Sequence, residues 1–147
     1  MITISKVTIK NINEVAPLFD AYRVFYKQET DLEAASQFLL NRLTNNESLI
    51  LKATFFNKVV GFTQLYRTFS SVSLQSTYIL NDLYVEEDYR KNGIGKALLN
   101  EAKKICIADN YKGLALETAI DNPAQKLYEK LGWVKDSGYF HYFWSAK

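Results

Sequence analysis

Arg90-Lys91-Asn92-Gly93-Ile94-Gly95 is the stretch on which the reading of this chain turns. Before it stands Tyr78-Ile79-Leu80-Asn81-Asp82-Leu83-Tyr84-Val85, rich in residues that favour strands. After it comes Lys96-Ala97-Leu98-Leu99-Asn100-Glu101-Ala102-Lys103-Lys104-Ile105, made mainly of good helix formers. A strand that turns through glycines into a helix aims several unpaired backbone N–H groups at one point, and the helix dipole adds positive potential there. Such a turn holds phosphate oxygens through its backbone, without a metal.

The glycine spacing excludes two common phosphate sites. A P-loop needs Ser or Thr after Gly-Lys, and here Gly95-Lys96 is followed by Ala97. A dinucleotide fingerprint needs a third glycine where Leu98 stands. The remaining pattern, Arg-x-x-Gly-x-Gly, resembles the pyrophosphate loop of the GCN5-related N-acetyltransferase superfamily, which binds acetyl-coenzyme A. A second segment, Asn122-Pro123-Ala124-Gln125-Lys126-Leu127-Tyr128-Glu129-Lys130-Leu131-Gly132-Trp133, is similar to that superfamily's downstream signature. Two motifs in the right order make chance a poor account. The resemblance spans roughly residues 48 to 145 and is sharpest at 80–99 and 114–133.

A chain of 147 residues suits a single domain, 1–147, with one core. It is 48% hydrophobic and 23% charged, which is the composition of an ordinary globular protein. The formal net charge of +2 is too small to argue for nucleic acid. No apolar run approaches the ~18–20 residues of a membrane span, and Met1-Ile2-Thr3-Ile4-Ser5-Lys6 does not read as a secretory leader. With Cys106 the only cysteine, an internal disulfide is impossible and the cytoplasm is the expected compartment. His141 is the only histidine, so a multi-histidine metal site is excluded and no metal is expected.

Along the chain, residues 2–9 read as a strand. A helix capped by Asn11 or Asn13 runs to about Lys27, and a second, capped by Asp31, to about Leu43. A hairpin of 48–55 and 58–69, turning at Phe56-Asn57-Lys58, leads to the long strand 75–85. The glycine turn and its helix follow, then a strand at 114–118, a helix at 122–131 and closing strands at 133–135 and 139–145. This order predicts an α/β (α+β) fold, a mixed, mainly antiparallel sheet of about seven strands with helices on both faces. The resemblance implies the same order, and adds that the strands ending near Val85 and Thr118 splay apart to admit the pantetheine arm.

The resemblance also implies the site. Arg90, Lys91, Asn92, Gly93, Ile94, Gly95 and Lys96 would hold the pyrophosphate. Leu83, Tyr84 and Val85 would run beside the pantetheine like an added strand, and the N–H of Val85 or Leu83 would donate to the thioester oxygen. One such donor is typically worth ~3–4 kcal/mol of barrier. Tyr128 matches the residue that protonates the leaving thiolate, its competing role being to pack its ring. Asn122 matches a contact to the cofactor arm and equally reads as the cap of the helix that begins at Pro123. An alkylammonium, with pKa ~10.4, must lose a proton before it attacks. Counting back from Arg90, the place of the base in the histone-acetylating branch falls near Ile79, which cannot serve. Asp82, Glu117 and a chain of water stay open.

The expected partners are acetyl-CoA and an amine acceptor, with no nucleic acid and no membrane. The segments Phe19–Tyr26 and Leu39–Leu43 look like a subgroup related to histone and polyamine acetyltransferases, hinting at a polyamine, an amino acid or a basic peptide. Aromatic faces suit a cationic amine, although strands also use aromatics as cross-strand pairs. The alternative function is an acyl-CoA sensor that keeps the cleft without turnover. The aromatic run Tyr139–Trp144 suggests a homodimer edge.

Overall fold

In the computed structural model, which describes residues 1–147, Phe56 and Asn57 both take positive φ, 47° and 66°. A two-residue hairpin needs left-handed residues at both central positions, because that twist matches the flanking strands. The turn folds β2 (Ser48–Phe55) back onto β3 (Lys58–Ser70). β1 (Ile2–Lys6) pairs antiparallel with β2, and β4 (Gln75–Val85) antiparallel with β3. β5 (Leu114–Ala115) lies parallel to β4, opposite Tyr78 and Ile79. The sheet order is β1-β2-β3-β4-β5.

A β-bulge in β4 decides which side chains share a face. Asp82 pairs with Gln64 and Leu80 with Leu65, leaving Asn81 as the extra residue. The alternation therefore resets at Asn81. Asp82 and Tyr84 lie on the face of Gln64 and Phe62, whereas Leu80 and Tyr78 lie on the opposite face.

Helices cover both faces. α1 (Ala16–Phe25) starts with Pro17 in its first turn, where the missing N–H costs nothing. Asp31 caps α2 (Leu32–Thr44), its Oδ1 accepting from the Ala34 N–H at 3.1 Å. These two pack through Val15, Phe19, Ala35 and Leu39 onto Phe62 and Ile50. α3 (Ile94–Ala108) packs on the other face through an apolar stripe of Ile94, Leu98, Leu99 and Ala102, all buried. Burying a leucine of this kind is worth about 1.5–3 kcal/mol. At its far end, the Tyr78 hydroxyl hydrogen-bonds Asp109 Oδ2 at 2.5 Å, and its ring stacks on Tyr111.

The chain forms two compact units, Met1–Glu117 and Thr118–Lys147. The second holds α4 (Ala124–Lys130), closed by Gly132 at φ 95° and by the Trp133 N–H on the Tyr128 carbonyl at 3.0 Å. The seven-strand expectation is corrected to five: residues 133–135 and 139–145 form no strand, and β5 stops at Ala115. β-propensity becomes a strand only beside another strand, and residues 118–147 include no strand. No helix is long and apolar enough to cross a membrane.

Candidate functional site

β4 ends at Val85, and a 3-10 turn at Glu87–Tyr89 carries the chain to Arg90. Lys91 (φ 66°) and Gly93 (φ 80°) are both left-handed, and Gly93 is the N-cap of α3 without a capping side chain. The α3 ladder begins with the Ala97 N–H on the Gly93 carbonyl at 3.0 Å. The N–H groups of Ile94, Gly95 and Lys96 precede it and have no acceptor within the helix. A Cβ on Gly93 would meet nothing within 4 Å, so the turn is open in front. Lys91 and Lys96 are exposed and add positive charge, while the Ile94 side chain is buried in the core.

Two side chains brace this turn. Arg90 Nε donates to the Val85 carbonyl at 2.9 Å, and its guanidinium lies 5.7 Å from the Tyr84 ring centroid. Asn92 Nδ2 donates to the carbonyls of Tyr89 and Arg90. Arg90 therefore fixes the loop to the end of β4, and Asn92 ties the loop to itself.

The edge of β4 has a definite polarity. The Glu86 N–H donates to the Val60 carbonyl at 2.9 Å. Alternation in an antiparallel ladder then turns the Tyr84 N–H toward β3 as well, and those of Leu83 and Val85 away from it. On that far side β5 accompanies β4 only at Tyr78 and Ile79. The amides of Leu83 and Val85 lie beyond the end of that pairing. The Tyr84 ring instead packs among Phe62 and Tyr22.

On the helical face of the same strand lies a cavity of about 360 Å³. Phe19, Tyr22 and Arg23 of α1 form one wall, and Ala34, Ala35 and Phe38 of α2 another. Tyr66, Asn81 and Asp82 complete it from the sheet. Asp82 is only 4% exposed, and burial pushes its carboxyl above the usual range, against hydrogen bonds from Gln64, Tyr22 and Asn81 that hold it down. Gln64 Nε2 donates to Asp82 Oδ2 at 2.6 Å, and Asn81 Nδ2 to Oδ1 at 3.0 Å. Gln64 is fully buried, and its Oε1 has no hydrogen-bond partner. The Tyr66 hydroxyl is pushed up to about 12 by burial and by the Asp82 charge, so it is a neutral donor at physiological pH.

In the second unit, Asn122 Oδ1 accepts from the Ala124 N–H at 2.9 Å, so this side chain does the capping job at the start of α4. Tyr128 is buried, its ring 6.1 Å from that of Trp133. Glu117 is exposed and lies past the end of β5. No group of three or more His, Cys, Asp and Glu side chains is arranged to hold a metal ion.

Residues 12–133 match the acetyltransferase (GNAT) family model. The chain belongs to the GNAT acetyltransferase family. An "uncharacterized N-acetyltransferase YhfO" of Bacillus subtilis (strain 168) is 48% identical over 129 residues, 87% of each chain. A "probable acetyltransferase" of Haemophilus influenzae (strain ATCC 51907 / DSM 11121 / KW20 / Rd) is 36% identical over 132 residues, covering 81% of this chain and 90% of that one. A crystal structure of a probable acetyltransferase superposes with a TM-score of 0.93 at 35% identity, covering 99% of this chain and 98% of the other.

Two residues of this GNAT chain escape sequence reading. Gly61 faces Val85 across the ladder, and a Cβ there would stand 2.9 Å from the Tyr84 carbonyl oxygen and 3.4 Å from Ile94. A glycine inside a strand is the available signal of such a close approach. Gln64 carries no signal at all, since nothing local marks it as the partner of Asp82.

Proposed function

We propose that the protein transfers the acetyl group of acetyl-CoA to a primary amine by direct attack, with the amine entering the cavity above Asp82. The observation that carries this reading is the buried carboxyl of Asp82 in the wall of a small cavity on the strand whose edge bears the Leu83 and Val85 amides. In this mechanism Asp82 takes a proton from the bound ammonium, for which a raised pKa fits it better than an ordinary aspartate. The freed nitrogen attacks the thioester carbon, and the Val85 or Leu83 N–H donates to the oxygen as negative charge gathers there. As the C–N bond forms and the C–S bond breaks, Tyr128 gives its hydroxyl proton to the departing sulfur, and the nitrogen's second proton passes through water to restore it. The free first-turn amides of α3, with Lys91 and Lys96, hold the pyrophosphate. Asn122 caps α4 and adds a contact to the cofactor arm.

The family match runs through both compact units, which supports treating 1–147 as one acetyltransferase domain. A lone buried cysteine supports a reducing, cytoplasmic setting.

The test is free-thiol release from acetyl-CoA across a panel of polyamines, amino acids, aminoglycosides and a histone-tail peptide. Release that depends on one amine class supports the reading. Acetyl-CoA binding without release for any amine indicates a sensor. Absence of acetyl-CoA binding by calorimetry overturns the reading of the Arg90–Gly95 turn.

A further inference from the structure

The cavity between α1, α2 and β4 carries charge of both signs. Asp82 is the one carboxylate in its wall and Arg23 the one cation. Arg23 is only loosely engaged by the protein. Its Nη1 lies 3.4 Å from the Glu29 carbonyl and 3.8 Å from Asp20 Oδ1, both long for a guanidinium contact. Asp20 is held chiefly by other partners, with Arg23 the weakest of them. The Thr30 hydroxyl donates to its Oδ2 at 2.5 Å and the Asp31 N–H to its Oδ1 at 2.8 Å. Most of the five donors of Arg23 are therefore left for another acceptor. Arg42 and Glu47, whose charges both act on Tyr66, pair with each other at 3.2 Å and add no net charge.

Granting the amine site argued above, we infer that the acceptor is a small amine that also bears a carboxylate, an amino acid or close analogue, bound between Asp82 and Arg23. A volume of about 360 Å³ lies at the small end of ligand sites, enough for one compact molecule and too little for a folded polypeptide segment. The ammonium meets the Asp82 carboxyl and the faces of the aromatic wall, where Phe19 and Phe38 stack at 5.8 Å. The carboxylate meets the Arg23 fork, whose geometry suits two parallel hydrogen bonds. A polyamine fits poorly. Its second ammonium would find no second carboxylate in the cavity and would be repelled by Arg23.

The experiment compares matched acceptors at saturating acetyl-CoA: leucine against 3-methylbutylamine, phenylalanine against phenethylamine, and spermidine and putrescine alongside. Rates are expressed per unprotonated amine. The expected result is kcat/KM at least ~10-fold higher for each amino acid than for its decarboxylated partner, which is about 1.4 kcal/mol. In Arg23→Gln that ratio should fall toward one, and in Arg23→Lys part of it should return. Because the ratio is taken within one preparation, partial misfolding of a variant cancels. Preference for spermidine or putrescine, or a ratio that Arg23→Gln leaves intact, would overturn the inference while leaving acetyl transfer standing. Failure to bind acetyl-CoA would instead sink the function proposed above.

Discussion

Gln64 Nε2 donates to Asp82 Oδ2 at 2.6 Å on the side of β4 that faces α1 and α2, with both side chains shut away from bulk water. Burial raises the folded-state pKa of Asp82 above its unfolded value. The folded protein then holds this proton more tightly than the unfolded chain does. Stability falls as pH rises from the unfolded pKa through the folded one, and stays lower above it. Asp82→Asn should therefore raise the urea midpoint at neutral pH and flatten its decline above about pH 4. The same variant should lose about 100-fold or more in turnover. A variant that is more stable yet fully active would remove Asp82 from the proton-transfer role.

Gly93 separates strain from ligand repulsion. At φ 80° any other residue is strained, but its Cβ would meet no atom within 4 Å. Gly93→Ala should cost about 1–2 kcal/mol of stability from the left-handed backbone alone. Gly93→Glu should in addition abolish acetyl-CoA binding, because a carboxylate would sit in front of the helix N-terminus. Calorimetric titration of the two variants checks the contrast.

Gly61 predicts a different failure. A methyl group there stands 2.9 Å from the backbone oxygen of Tyr84 and 3.3 Å from Val85. Gly61→Ala should push β3 away from β4, costing about 1–3 kcal/mol. Since Ile94 opens α3, the KM for acetyl-CoA should rise as well. Chemical denaturation and steady-state kinetics on the same variant test both halves.

If Tyr128 is the proton donor of the proposed mechanism, Tyr128→Phe should lower turnover by about 10–100-fold with little change in acetyl-CoA affinity. Leaving-group dependence provides the check. Replacing the thioester by one with a more acidic thiol should narrow the gap between variant and wild type.

Asp20 anchors the loop between α1 and α2. Its carboxyl is held below the usual range by the hydrogen bond from Thr30 first, then by the Asp31 amide and by Arg23. A depressed folded-state pKa means a contribution fully present above the unfolded pKa and lost as pH falls through the folded one. Asp20→Asn should melt earlier than wild type at neutral pH, and the difference should close below about pH 4. Thermal melts at a series of pH values measure it.

Much of this site was legible from local pattern. The Arg90–Gly95 turn, the α3 stripe, the Asp31 cap and the Phe56-Asn57 hairpin are short-range features, and each formed where its residues indicated. The face of each β4 side chain was not legible. Strict alternation would place Leu80 and Asp82 together, but the bulge at Asn81 separates them. The closing strands illustrate the opposite error. Tyr139, Tyr142, Phe143 and Trp144 have the propensity for a strand, yet these residues are exposed and form none.

The sequence by itself determined the family and the glycine turn before α3, because these depend on residues adjacent in the chain and on the backbone freedom of glycine at 93. Only the tertiary structure decided that Asp82 is a buried carboxyl held by Gln64, that Arg23 shares its cavity, and that Gly61 makes room for the Tyr84 carbonyl. Those pairs are separated by 18, 59 and 23 positions in the sequence numbering. Their chemistry arises from desolvation and close contact, which exist only once the sheet and its two helical layers have assembled.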